Sequence, residues 1–462
     1  MQKIAIFVTA ITVTRVTVII IPKIRKMKFY DREPEIKLLQ DVSRSLDSGS
    51  KLTVITGRRR IGKTKLILKA LENTTFLYFF IARKSERLLC EEFIREIRDK
   101  LKLPVYGEIT EFKDIFALLM DVSKNQKINI VIDEFQEFER INPSIFSEIQ
   151  NIWDRNKDNT RMHLVVSGSI YSIMKRLFEH AKEPLFGRAS ERIYLQPFSV
   201  DILKQILNEN TSNYSNRDLL AFYSITGGVP KYVELFVDKG ITDFQSILNE
   251  IFRENGYLLE EGKNLLIEEF GKDYTMYFSI LTLLSSSKTS RSEMESVLGK
   301  SIGGFLGKLE KDYNLIQKIK PIFSKEGSRN YKYKINDRFL RFWFRFIYKY
   351  RSAIEIENYD YVKKIVERDF STFAGEALET YFKEKLKITG LYSMIGSYWE
   401  KGNKNEIDIV AINENEKKAL IAEVKMNKDK ISKEKLIDKS TNLRTQIRDY
   451  DIEYQALSLG DM

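Results

Sequence analysis

The chain is poor in the residues that cross-link or rigidify small folds. It has one cysteine, Cys90, and eight prolines among 462 residues. A single thiol cannot form an internal disulfide, which excludes a disulfide-stapled scaffold and fits a reducing compartment, the cytoplasm. Only two histidines accompany an excess of Lys, Glu and Ile, a composition that fits a thermophile. What is present argues for globular structure. The 43% hydrophobic and 12% aromatic content is enough for proper cores, so global disorder is excluded. At this length three or so domains are expected. The formal charge of +11 favours nucleic acid or another polyanion as a partner, against the plainer reading of a generic basic cytosolic protein.

One long apolar run, "IAIFVTAITVTRVTVIIIP" at 4–22, raises the question of a membrane anchor. Arg15 lies in its middle, where insertion costs about 2.5–3.5 kcal/mol. Its β-branched content and lack of a small-residue cleavage site count against a spanning helix or a signal peptide. Met27 precedes the first globular-looking segment. Residues 1–26 are therefore expected to be an extension outside the mature protein, with an anchor or an extra strand as the alternatives.

The strongest signal is "LTVITGRRRIGKTKLILKAL" at 52–71. A buried-strand run leads into Gly57-x-x-x-x-Gly62-Lys63-Thr64 and then an amphipathic helix, the strand–loop–helix context that a P-loop requires. Gly57 and Gly62 let the backbone wrap phosphates, and the helix N-terminus turns its free N–H groups towards them. Lys63 is expected on the β- and γ-phosphates of ATP and the Thr64 hydroxyl on Mg²⁺. Arg58, Arg59 and Arg60 either add phosphate attraction or point to solvent. In "INIVIDEFQEF" at 128–138, a continuous apolar run ends in Asp133-Glu134, as a buried parallel strand does. Asp133 suits the Mg²⁺ shell, and Glu134 suits the general base that polarises the attacking water.

Further strands are expected in "TFLYFFIA" (75–82), "MHLVVSGS" (162–169) and "ERIYLQPFS" (191–199), which with intervening helices predict a parallel sheet covered on both faces. "FYDREPEIKLL", "GRRRIGKT", "VIDEFQEF", "VVSGS", "LFGRASERIYLQPF" and "TGGVPKYV" occur in that order over residues 27 to 270. Together they resemble the archaeal ATPase family, a branch of P-loop signalling ATPases related to AAA+ and origin-recognition proteins. The resemblance implies that Asp31-Arg32-Glu33 lies by the adenine. It implies that Ser167 or Ser169 senses the γ-phosphate, a choice the sequence leaves open. It also implies that Arg188 approaches the γ-phosphate in cis or from a neighbouring copy, which would need a homo-oligomer. Read from the residues alone, Arg188 is a surface arginine beside a glycine turn.

Residues 199–272 read as a helical lid, with apolar residues at three- and four-residue spacing. Residues 273–350 give three short amphipathic helices and a hairpin, a winged-helix layout whose Lys308, Lys311, Lys325, Arg329 and Lys332 either meet DNA phosphates or leave the module to packing and protein contact. "DRFLRFWFRFIYKYR" at 337–351 is expected to be a buried helix with its basic residues outward. In 351–462, Glu376 on a helix, Asp408 closing "EID" and "EVK" at Glu423–Lys425 resemble the PD-(D/E)xK nucleases. In that fold the carboxylates hold Mg²⁺ while the lysine activates water, and Gln446 lies on the next helix. The plain alternative is a hairpin with solvated charges. Glu423 and Lys425 are two apart on a strand and share a face, as do Glu406 and Asp408.

The expected architecture is α/β: a P-loop ATPase core (27–198), the lid, the winged helix and an α/β restriction-endonuclease-like domain. The expected function is an Mg²⁺-dependent, DNA-associated ATPase with a nuclease-like tail. The alternative is a signalling or scaffold switch that binds protein partners and has a silent tail. A membrane is not expected among the partners.

Overall fold

The computed structural model describes residues 26–270 and 274–462; the apolar run at 4–22 lies outside them. Five strands form one parallel sheet: β1 (Lys51–Gly57), β2 (Phe76–Phe80), β3 (Ile128–Asp133), β4 (Met162–Ser167) and β5 (Glu191–Leu195), in the order β2-β3-β4-β1-β5. Period-two alternation sorts their side chains to two faces. Val54, Ile130, Ile132, Leu164 and Val166 pack with the helices Glu86–Leu101, Phe112–Asn125 and Ile145–Asn156. Ile55, Val131, Val165 and Ile193 pack against the helices Glu33–Arg44 and Lys63–Leu71. Because β4 lies between β1 and β3, the loops that leave β1 and β3 open onto one crevice at the C-terminal edge, where open α/β sheets bind ligands.

A second body begins after β5. Helices Val200–Asn210, Asn216–Thr226, Pro230–Val237, Phe244–Ile251 and Tyr257–Phe270 precede the helices Tyr274–Ser285, Arg291–Leu298 and Gly303–Lys311. A two-stranded antiparallel hairpin follows, β6 (Ile316–Ile319) and β7 (Lys332–Ile335). Ser290 caps the helix Arg291–Leu298 in a reciprocal box with Glu293. The chain then forms the helical segment 338–348, the 30-residue helix Tyr359–Ile388, and a second sheet. That sheet holds β8 (Met394–Glu400), β9 (Lys404–Asn413), β10 (Lys418–Lys425) and β11 (Asp451–Ser458), in the order β11-β10-β9-β8.

One apolar core runs through all of this body. It joins Phe198 of the loop after β5 and Leu220 and Tyr232 of the first helices to Phe278, Phe339 and Phe344, to Phe370 and Leu378 of the long helix, and to Ile409, Ala422 and Val424 of the second sheet. Segment 338–348 differs from expectation. Its basic residues do not point outward: Arg338, Arg341 and Arg345 pair with Glu384, Glu376 and Asp369 of the long helix. Apolar residues fill the other directions, so the cations turn to the one acidic neighbour. The hairpin is also committed. Ile322 N donates to Ser397 O of β8 at 2.8 Å, and Lys332 pairs with Glu406 at 2.8 Å. Among the described residues no helix is long and apolar enough to cross a membrane.

Candidate functional site

A cavity of about 460 Å³ opens at the crevice edge, a volume that suits a small ligand. The phosphate loop, the segment 26–32, Glu134, Ser169, Phe198 and the start of the helix Pro230–Val237 line it. It therefore lies at the seam between the two bodies. Gly62 opens the helix Lys63–Leu71 with φ 90°, a left-handed conformation that glycine adopts without strain. Lys63 is buried, and its ammonium donates to Gly57 O at 3.0 Å and to Arg58 O at 3.4 Å. Burial lowers its pKa, although Glu134 and Asp133 act in the opposite direction.

Asp133, 3% exposed, gathers polar groups from the helix Lys63–Leu71, from β2 and from the end of β4. Its Oδ2 accepts from Thr64 Oγ1 at 2.7 Å and from Tyr78 of β2 at 2.7 Å. Its Oδ1 accepts from Ser167 Oγ and, at 3.0 Å, from Glu134 N. Glu134 sits at φ 56°, and its Oε2 accepts from Ser169 Oγ at 2.7 Å and from Gln136 Nε2 at 2.5 Å. The two serines of "VVSGS" therefore touch different carboxylates. Arg32 lines the cavity, with its guanidinium on Gln196 O at 2.5 Å and over the Phe198 ring.

Arg59 and Arg60 line the cavity, while Arg58 and Arg60 are also engaged by acids of the second body. Arg60 makes a two-point pair with Glu261 at 3.0 and 3.3 Å, and Glu261 also accepts from Tyr232 at 2.9 Å. Arg58 pairs with Asp337 and lies over the Tyr232 and Phe339 rings. Both cations tie the phosphate loop to the second body. Arg188 is not part of the cavity lining and pairs with Asp154 at 2.8 Å.

A second polar cluster lies between the long helix and the second sheet. The β8–β9 register passes from Gly396↔Val410 to Tyr398↔Ile407, so β9 carries one extra residue at Asp408–Ile409. Such a bulge re-aims side chains. Here it breaks the expected alternation, sending Ile409 into the core under the long helix and Ile407 to the opposite face. Asp408 Oδ2 accepts from Lys425 Nζ at 3.1 Å and from Val424 N at 2.8 Å. Glu423 Oε1 pairs with Lys425 at 2.9 Å and Lys439 at 3.0 Å, while its buried Oε2 has no hydrogen-bond partner among the described residues. Burial and Glu423 push the Asp408 carboxyl up, against Lys425.

Glu376 is not brought to Asp408; it pairs with Lys334 at 2.5 Å and Arg341 at 2.9 Å. Glu379, one helical turn on, is the long-helix carboxyl that senses Asp408. Burial first, then that charge, pushes it up to about 7. Lys383 hydrogen-bonds Ser397 at 2.6 Å, and burial lowers its pKa. Gln446 is exposed beyond the short helix Thr441–Arg444. Among the described residues no group of three or more His, Cys, Asp or Glu is arranged to hold a metal ion. As they stand, the carboxylates are bridged by lysines.

Sequence reasoning missed Tyr78, Gln136, Glu261, Glu379 and Lys439. Glu379 carried a signal, its three-residue spacing from Glu376 on one helix face. Gln136 carried one in its place two residues after Glu134.

The family described as "ATPase domain predominantly from Archaea" matches residues 29–236, and one described as "Archaea bacterial proteins of unknown function" matches 343–437. An uncharacterized protein of Methanocaldococcus jannaschii, MJECL04, is 31% identical over 408 residues, covering 86% of this chain and 87% of its own. Among solved structures, the Walker-type ATPase PABY2304 of Pyrococcus abyssi aligns over 70% of this chain and 98% of its own, with a TM-score of 0.53 at 19% identity, a likeness in fold. The ORC2 protein of Aeropyrum pernix aligns over 72% of this chain and 96% of its own, with a TM-score of 0.44 at 12% identity.

Proposed function

The chain belongs to the family of ATPases found predominantly in Archaea, and from that premise we propose that it is an Mg²⁺-dependent, DNA-associated ATPase whose C-terminal sheet is nuclease-like. One observation carries the nucleotide half: Lys63, Thr64, Asp133 and Glu134 converge at one cavity edge. The Lys63 ammonium exchanges its loop carbonyls for β- and γ-phosphate oxygens when ATP enters. The Thr64 hydroxyl and Asp133 carboxylate, already 2.7 Å apart, are an oxygen donor pair that suits a hard cation. Held by that pair, Mg²⁺ would supply charge neutralisation at the phosphates. Glu134 takes a proton from the attacking water as the water oxygen bonds to the γ-phosphorus. The bond from that phosphorus to the bridging oxygen breaks, and its electron pair leaves with ADP. Ser167 and Ser169 hold the two carboxylates in register with each other.

The nuclease-like reading rests on Asp408, Glu423 and Lys425 meeting on adjacent strands. Among the described residues their arrangement does not fit a metal ion as it stands. The bridging of Glu423 by both Lys425 and Lys439 favours a second reading, a signalling or scaffold switch with a silent tail. The three helices and hairpin at 274–335 are read as a winged helix, and the docking of the hairpin on β8 favours packing over a groove contact.

Full-length protein incubated with duplex or single-stranded DNA, ATP and Mg²⁺ or Mn²⁺ tests these readings, with Asp408→Ala and Lys425→Ala as controls. Cleavage abolished by both substitutions supports the nuclease reading. No cleavage with either metal removes it. ATP turnover that DNA leaves unchanged, together with no measurable DNA binding, removes DNA association and leaves the protein-partner switch.

A further inference from the structure

We propose that Gln136 is a positioning residue for ATP hydrolysis, seated in a slot that Gly168 keeps open. The inference rests on Glu134 as the base. Gln136 is 2% exposed, on the short turn Phe135–Glu137 that follows the two acids. Its Nε2 donates to Glu134 Oε2 at 2.5 Å, and Ser169 Oγ donates to the same oxygen at 2.7 Å. Its own Oε1 is buried, and among the described residues no donor reaches it. A buried, half-satisfied amide costs free energy, and a catalytic role for the satisfied half is one explanation for keeping it.

The slot shows the same commitment from the other side. A Cβ at position 168 would overlap Gln136 Oε1 and Met174 Sδ, and the Gly168 backbone is not in the left-handed region. Any side chain there would have to displace the Gln136 amide and the Met174 side chain, so glycine is what leaves both in place. It stands between Ser167, which holds Asp133, and Ser169, which holds Glu134. The sequence Ser-Gly-Ser therefore does three jobs at consecutive positions.

The consequence is directional. With both donors on Oε2, the carboxylate is fixed about that oxygen and Oε1 is left to take the water proton. Removing the amide leaves one donor, Ser169, and frees the carboxylate to rotate. The reaction slows while the phosphates are held as before, because Gln136 is not part of the cavity lining.

The test uses steady-state ATP turnover and the Kd of a fluorescent ATP analogue on the full-length protein. Gln136→Leu removes the donor. Gln136→Glu keeps the size but places an acceptor where the donor was. The expected result is a roughly ten- to hundredfold fall in kcat for both, with the analogue's Kd within about twofold of wild type. Gly168→Ala is expected to lower kcat in the same way. Combined with Gln136→Leu it should lower kcat no further than the worse single change, because both act on one contact. A kcat within about twofold of wild type in a folded Gln136 variant overturns the proposal. So does a loss carried equally by Kd, which assigns Gln136 to structure alone. If Gln136→Leu fails to fold, Gln136→Glu carries the test. Glu134→Gln separates the layers. Normal turnover by that variant removes the base assignment itself, while a dead Glu134→Gln beside active Gln136 variants removes only the positioning role.

Discussion

Replacing Glu261 with glutamine removes the charge that anchors Arg60 but leaves an acceptor of the same shape for Tyr232. The carboxylate is 2% exposed and makes two hydrogen bonds to the guanidinium, at 3.0 and 3.3 Å. Hydrogen bonds to charged groups contribute about 1.5–3 kcal/mol. The Arg60 side chain is 31% exposed, so solvent screens the pair and the lower end applies, about 1.5 kcal/mol. Urea unfolding of wild type, Glu261→Gln, Arg60→Gln and the double variant should give a coupling energy of about 1–1.5 kcal/mol. The same four proteins should bind a fluorescent ATP analogue within about threefold of one another, since the guanidinium is spent on Glu261 and not on phosphate. A coupling energy near zero refutes the structural tie. A tenfold or greater loss of ATP affinity in Arg60→Gln, with a gain in Glu261→Gln, refutes the division of labour within the loop.

Other outcomes follow from the same geometry. Lys63→Ala should abolish detectable ATP binding by calorimetry, because no other described side chain brings a buried ammonium to the loop carbonyls. Glu134→Gln should bind ATP with near wild-type affinity and lose most of its turnover, and normal turnover would show that another group takes the proton. Glu379→Gln should raise thermal stability at pH 8 and change it little at pH 4. The folded-state pKa of about 7 lies above the usual carboxyl value, so Glu379 favours folding while protonated and this contribution is lost as pH rises through 7. With 30% of the side chain open to solvent, the gain should be about 1–2 kcal/mol, read from melting curves across pH.

The nucleotide site was legible because its signals are local. Gly57 to Thr64 and Ile128 to Glu134 each place their chemistry by strand–loop geometry within a dozen residues, and the unbroken burial of β3 and β4 follows from their continuous apolar runs. The partners of the loop arginines were not legible, since Glu261 and Asp337 lie about 200 and 280 residues away and belong to helices whose relative placement only packing decides. The choice between Glu376 and Glu379 had the same origin. Both lie on one helix, and the rotation of that helix is set by Arg341 and Lys334 on one side and by Ile409 and Ala422 below. Strand alternation placed Glu423 and Lys425 together on β10, but it failed on β9, where the bulge at Asp408 adds a residue that no composition reveals.

The apolar core that joins the first helices after β5 to the second sheet has a thermodynamic consequence. The helix Pro230–Val237, which helps to line the nucleotide cavity, belongs to the same buried core as the strands that carry Ile409, Ala422 and Val424. Any movement of that helix on ATP binding would therefore be felt at the carboxylate–lysine cluster through the shared core. If ATP changes the affinity of that body for a ligand by some factor, the ligand changes the affinity for ATP by the same factor, since linkage is reciprocal. A nucleic acid or a protein bound on the distant sheet would be read at the phosphate loop through the Arg58 and Arg60 ties, with no contact between the two ligands.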